Sequence, residues 1–130
     1  MNQAIKAQSK KNKIVICWVF VAIFSAFANR LNAAELIMFR SPACQWCEAW
    51  DMEIGQIYNK TEEGKVLPLR KVDIENPLPE SLNWIKGVFF TPTFVAIDKG
   101  QEIGRIIGYP GEAFFWGYLS KIAKKVPKTD

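Results

Sequence analysis

Two cysteines three positions apart, in Cys44-Gln45-Trp46-Cys47, carry the most chemistry in this chain. An apolar run, Leu36-Ile37-Met38-Phe39, precedes them and reads as a buried strand. The segment that follows has helical spacing. Thiols at a helix N-terminus suit thiol–disulfide exchange, because the partly positive helix end favours a thiolate on the outer sulfur. The inner sulfur lies one turn deeper and can reach the first to close a disulfide. The competing readings are half of a zinc site, an iron–sulfur cluster bridging a dimer, and a purely structural disulfide. Zinc takes about four ligands. The chain has 3 cysteines and 0 histidines, so either metal site would need a second chain. A staple closing so short a loop adds little stability, since that effect grows with loop length. No metal and no cofactor beyond the dithiol is expected.

The third cysteine, Cys17, lies in a segment with the three parts of a secretory signal. Lys6 to Lys13 form a basic region. Ile14 to Phe24, extended loosely to Phe27, form an apolar core. Ala26-Phe27-Ala28 supplies a cleavage site, which predicts a leader over residues 1–28 and a mature domain over 29–130. Cleavage after Ala34 is the alternative, with Asn32 a poor residue at its −3 position. An uncleaved membrane anchor is the minority reading, because the apolar run is shorter than the roughly 17–25 residues that span a bilayer. The leader places the mature chain in the periplasm. It also accounts for the net charge of +4: Lys6, Lys10, Lys11 and Lys13 carry it, leaving 13 Lys/Arg against 13 Asp/Glu from Asn29 onward. A neutral domain argues against a nucleic-acid partner, which needs a basic face.

The elements that must position the cysteines follow from hydrophobic periodicity. Glu35 to Arg40 reads as the first strand. Cys47, Trp50, Ile54, Ile57 and Tyr58 recur at helical spacing. Thr61-Glu62-Glu63-Gly64 reads as a loop, and Val66 to Ile74 as a second strand with Pro68 near its start. Pro77 and Pro79 open a short helix through Leu82 and Ile85, ended by Gly87. Phe94 to Ile97 is a third strand, Asp98-Lys99-Gly100-Gln101 a hairpin turn, and Glu102 to Ile107 a fourth strand. Phe115, Tyr118, Leu119, Ile122 and Val126 mark the buried face of a last helix, with Lys121, Lys124 and Lys125 towards its C-terminal end. Trp50 and Trp84 are expected in the core, and Trp46 outside it. Trp116 could go either way, and Phe89-Phe90 form either an apolar rim or core. The order β-α-β-α-β-β-α implies an α/β domain with a mixed sheet and helices on both faces.

That order, with Cys-x-x-Cys opening its first helix, resembles the thioredoxin fold. Thr91-Pro92-Thr93-Phe94 resembles the family's cis-proline loop, which faces the cysteines. Asp98-Lys99-Gly100-Gln101 resembles its hairpin turn, and Gly108 the glycine before its last helix. The resemblance covers about Glu35 to Val126. It implies a thiol–disulfide oxidoreductase with Cys44 as nucleophile, Cys47 as resolving thiol, and Trp46, Thr91 and Pro92 as substrate contacts.

The sequence also departs from the family pattern. Thioredoxins carry a buried Asp in the strand before the motif, and here that position is Met38. Water, Glu48 or Glu53 is then left to take the proton of Cys47. The residue before the first cysteine is Ala43 rather than Trp, and Gln-Trp replaces Gly-Pro between the cysteines. The nearest resemblance is to short exported bacterial members, some of which serve sulfur oxidation or cytochrome maturation. It implies a monomeric reductant of protein disulfides fed by a membrane electron donor. The alternatives are a disulfide oxidase or isomerase, and a non-catalytic binding module of the same fold.

Overall fold

The computed structural model describes residues 33–128. The leader expected over residues 1–28 lies outside them. Strand β1 (Glu35–Arg40) is followed by helix α1 (Gln45–Trp50), which continues as a π-helical turn over Asp51–Gly55. A 3-10 turn (Tyr58–Lys60) and a short helix α2 (Glu62–Val66) lead into β2 (Leu69–Asp73). A 3-10 turn (Glu80–Leu82), a hairpin of β3 (Thr93–Asp98) and β4 (Gln101–Ile107), and helix α3 (Glu112–Ala123) complete the unit.

Among the described residues the sheet has the order β2-β1-β3-β4. β1 runs parallel to β2 and antiparallel to β3, and β3 is antiparallel to β4. β1 lies inside the sheet and is buried on both faces, hence its unbroken apolar run. Alternation along the strands divides the core in two. Leu36, Met38, Phe94, Ala96 and Ile106 face α1 and α3, where they meet Cys47, Trp50, Ile54, Tyr58, Phe115 and Leu119. Ile37, Phe39, Val95 and Ile97 face the other way, towards Leu82 and Ile85.

The hairpin turn forms where its composition placed it. Lys99 (φ 51°) and Gly100 (φ 74°) both take the left-handed conformation, which matches the right-handed twist of the flanking strands.

Four expectations are corrected. Thr61-Glu62-Glu63-Gly64 starts a helix rather than forming a loop. Thr61 Oγ1 accepts from Gly64 N at 3.0 Å and donates to the Tyr58 carbonyl at 2.7 Å, which caps α2. Gly64 reads as a breaker, but it is there for close approach: a Cβ would stand 2.0 Å from the Tyr58 oxygen. The second strand begins at Leu69 rather than Val66, since α2 takes Val66 and Pro68 follows.

The helix expected from Pro77 to Ile85 shrinks to the single turn Glu80–Leu82, because Pro79 disfavours helical backbone at Leu78 just before it and itself stands extended (φ −53°, ψ 138°) ahead of the turn. Finally, Ile57 (43% exposed), Trp84 (42%) and Tyr118 (49%) are not core residues. The π turn and the 3-10 turn shift Ile57 out of phase, and Trp84 turns outward to donate Nε1 to the Ser81 carbonyl at 2.9 Å. Tyr118 falls at the edge of the stripe set by Phe115, Leu119 and Ile122. Trp116 lies half-buried and stacks on Tyr58 at 6.1 Å.

Candidate redox site

Cys44 is the N-cap of α1. Its backbone is extended (φ −99°, ψ 97°), and its sulfur accepts a hydrogen bond from Cys47 N at 3.1 Å. A sulfur in that place meets one of the unpaired N–H groups of the helix start. Such a donor stabilises negative charge there. Cys44 and Cys47 are joined by a disulfide with Cα atoms 5.2 Å apart. Both cysteines are buried, Cys44 with a small residual exposure (6%) and Cys47 completely.

Burial of Cys47 comes from the helix face that also carries Trp50 and Ile54. Trp50 is at the centre of an aromatic group, with Phe94 at 5.3 Å, Phe115 at 5.7 Å and Tyr58 at 5.9 Å. Pairs in this range contribute about 0.5–1.5 kcal/mol beyond their buried area. Among the described residues, Trp50 Nε1 is buried with no hydrogen-bond partner, and an unpaired buried donor costs about 1–3 kcal/mol.

A second loop meets the first. The Thr91–Pro92 peptide bond is cis, and Pro92 is buried. Thr91 Oγ1 lies 3.3 Å from Ser41 Oγ, three residues before Cys44. The Pro92 carbonyl accepts from Gly108 N at 2.7 Å, and the Phe90 carbonyl accepts from Thr93 Oγ1 at 2.7 Å. Tyr109, next to Gly108, donates its hydroxyl to the Glu53 carboxylate of the π turn. Burial and this bond to Glu53 raise the Tyr109 hydroxyl above its ordinary value. The structure therefore joins the segments bearing Ser41, Cys44, Cys47, Thr91 and Pro92. Trp46 is 56% exposed on the first turn of α1.

Of the two carboxylates expected near Cys47, Glu48 is exposed and Glu53 is held by Tyr109. The charged group that sequence reasoning missed is Asp51, one helical turn after Cys47. It binds Arg40 at 2.7 Å and Lys71 at 2.6 Å. Partial burial alone would raise its pKa, but the bonds to Lys71 and Arg40 outweigh that and hold it below the usual Asp value. Lys71 is the register partner of Met38, and its ammonium lies 5.7 Å from the Trp50 ring centroid. The available signal was the spacing of Asp51 four residues after Cys47, which puts both on one helix face.

A vicinal pair that closes a disulfide at a helix start exchanges two electrons with other disulfides and thiols, and the chain is a thiol–disulfide oxidoreductase. Comparison with solved structures agrees. The periplasmic thioredoxin SoxS from Paracoccus pantotrophus is 40% identical. The match covers 72% of this chain and 99% of that one, with a TM-score of 0.67. Mitochondrial thioredoxin 3 from Saccharomyces cerevisiae (24% identity, 75% and 89% covered, TM-score 0.53) and Fasciola hepatica thioredoxin (20%, 78% and 92%, 0.56) share the fold. No protein-family model and no curated protein matches the sequence. This chain belongs to the thioredoxin-like superfamily.

Proposed function

We propose that the chain is an exported, periplasmic reductant of protein disulfides. The observation that carries this reading is the placement of the Cys44–Cys47 disulfide, with Cys44 at a helix N-terminus keeping a little exposure (6%) and Cys47 fully buried behind it. In the reduced state the Cys44 thiolate attacks one sulfur of a substrate disulfide. That bond breaks, a substrate thiolate leaves, and a mixed disulfide forms. The Cys47 thiolate then attacks the Cys44 sulfur, expels the second substrate thiolate and closes the disulfide seen here. Two electrons pass to the substrate, and two protons from solvent complete its thiols. Thr91 offers its backbone to an extended substrate segment. Pro92 shields the sulfurs, and Trp46 contacts the substrate from the other side.

The reductive direction and the compartment rest on the leader and on likeness to a periplasmic thioredoxin. In an oxidising compartment the pair needs a membrane dithiol donor to return its electrons. Its clients belong to cytochrome maturation or sulfur oxidation. The protein acts as a monomer and takes no cofactor beyond the dithiol.

Insulin reduction is the first test. Wild type is expected to reduce it with dithiothreitol as donor, and Cys44→Ser to be inactive. Cys47→Ser is expected to accumulate mixed disulfides that identify the clients. Equilibration with glutathione should give a potential of about −270 to −200 mV. A value above about −150 mV would make the protein an oxidase.

A further inference from the structure

Helix α3 carries two parallel stripes, offset by one residue. Phe115, Leu119, Ile122 and Val126 recur at helical spacing and pack into the core. Phe114, Tyr118, Lys121 and Lys125 repeat that spacing one position earlier, and all four are exposed. Phe114 is 65% and Tyr118 49% exposed, which leaves in water aromatic surface that folding ordinarily buries. Among the described residues this side of the helix is open: a Cβ at Gly117, between the two aromatics in sequence, would meet no atom within 4 Å. Lys125 Nζ donates to the Ile103 carbonyl at 2.7 Å, which ties the cationic end of the stripe to β4. The salt bridges among the described residues use none of Lys121, Lys124, Lys125 and Lys128. The one acid of α3, Glu112, stands three and seven residues before Phe115 and Leu119, off the aromatic and lysine stripe.

We propose that the outer face of α3 docks on an anionic lipid surface, with Phe114 and Tyr118 entering the headgroup layer and Lys121 and Lys125 meeting lipid phosphates. Charge complementarity argues for this occupant. Aromatic rings and lysines on one exposed helix face are the composition of helices that lie at a membrane interface. Long lysine stems let the ammonium groups stay with the phosphates while the rings sit deeper. A second copy of the chain fits less well, because the same face offers these lysines no carboxylate. α3 begins four residues after Gly108, whose N–H is bonded to the Pro92 carbonyl. Docking therefore holds the redox site within roughly a helix length, ~18 Å, of the bilayer. That is where the membrane donor of the proposed reductase would stand. The docking itself does not depend on the reductase reading and is measured without turnover.

The test uses the mature protein, residues 29–130, so that the lysines of the leader do not contribute. Wild type should cosediment with vesicles of phosphatidylcholine and phosphatidylglycerol but not of phosphatidylcholine alone, and about 0.5 M salt should release it. One ammonium near an anionic surface strengthens binding about fivefold. Lys121→Gln/Lys125→Gln, which keeps a donor for the Ile103 carbonyl, should therefore weaken vesicle binding about 25-fold. Phe114→Ser/Tyr118→Ser should weaken it on the order of tenfold or more. Lys60→Gln/Lys99→Gln removes the same charge from exposed lysines off the stripe and should bind as wild type does. Far-UV circular dichroism of each variant separates lost docking from lost helix. Failure of wild type to bind the anionic vesicles would overturn the proposal. Equal losses in the two lysine variants would do the same, since diffuse charge would then be the cause. Undiminished binding by the aromatic variant would remove the stripe as the docking face. A wild-type dimer in sedimentation velocity that Phe114→Ser/Tyr118→Ser dissolves would assign the face to a second copy instead.

Discussion

The two faces of the sheet are covered in different ways. On one, α1 and α3 bring Trp50, Ile54, Phe115 and Leu119 onto Leu36, Met38, Phe94 and Ala96. On the other, Leu82 and Ile85 cover Ile37, Phe39, Val95 and Ile97 from a segment whose helical content is one 3-10 turn. The first face fixes the buried sulfur: Cys47 belongs to the same cluster as Trp50. The second is covered by chain that runs on to Phe89, Phe90 and the Pro92 loop. The site is thus built from a rigid partner on one side and, on the other, a loop held by a few named hydrogen bonds. That division suits an enzyme whose sulfurs need fixed geometry and whose substrates vary.

The largest expected effect breaks the comparison on its helical side. Phe115 is fully buried and touches Trp50, Phe94, Tyr109 and Trp116. Phe115→Ala should cost about 3–5 kcal/mol, because four aromatic neighbours cannot all collapse into the space. Leu82, 1% exposed, presses on the opposite face. Leu82→Ala should cost about 2–3 kcal/mol, at the low end for such changes, since an irregular segment can settle inward. Urea unfolding of both variants measures the difference. Equal losses would mean that the irregular segment packs as firmly as the helices.

Gly64→Ala comes next, on another principle. Its Cβ would meet a backbone carbonyl rather than a side-chain tip, so neither partner can swing away. Roughly 1–3 kcal/mol is expected, at the upper end of that span. The same unfolding curves report it, and a neutral result would show that α2 can shift off the Tyr58 turn.

Much of the site was legible because chemistry and pattern coincide there. Cys-x-x-Cys after a four-residue apolar run fixed β1, the start of α1 and the two sulfurs. Asp98-Lys99-Gly100-Gln101 fixed the hairpin that carries β3. Thr91-Pro92 was recognisable by its place in the order. The misreadings arise where a residue serves something distant in sequence. Gly64 looks like a helix breaker until Tyr58 is packed against it. Pro77 and Pro79 look like helix openers, but they are too closely spaced to let a helix grow. Asp51 looks like one more surface acid on an amphipathic helix. Its partners, Arg40 and Lys71, are 11 and 20 residues away, on two different strands.

Asp51 gives the smallest predicted effect, one that joins the helical side of the site to the sheet edge. Its carboxylate accepts from Arg40 of β1 and Lys71 of β2, with its side chain 29% exposed. Water reaches the group, so the ion pairs are worth under about 1 kcal/mol each. The folded state holds its pKa below the ordinary Asp value, and the sign follows from that. The stabilisation is complete above about pH 4, the ordinary Asp range, and disappears as pH falls through the lower folded-state value. Asp51→Asn should therefore lower stability by about 1 kcal/mol at pH 7. Its urea midpoint should approach that of wild type as the pH falls below the ordinary Asp range and through the lower folded-state value. If the gap stays constant across that range, Asp51 contributes through shape and hydrogen bonding alone, and the charge link between α1 and the strands is not what holds them.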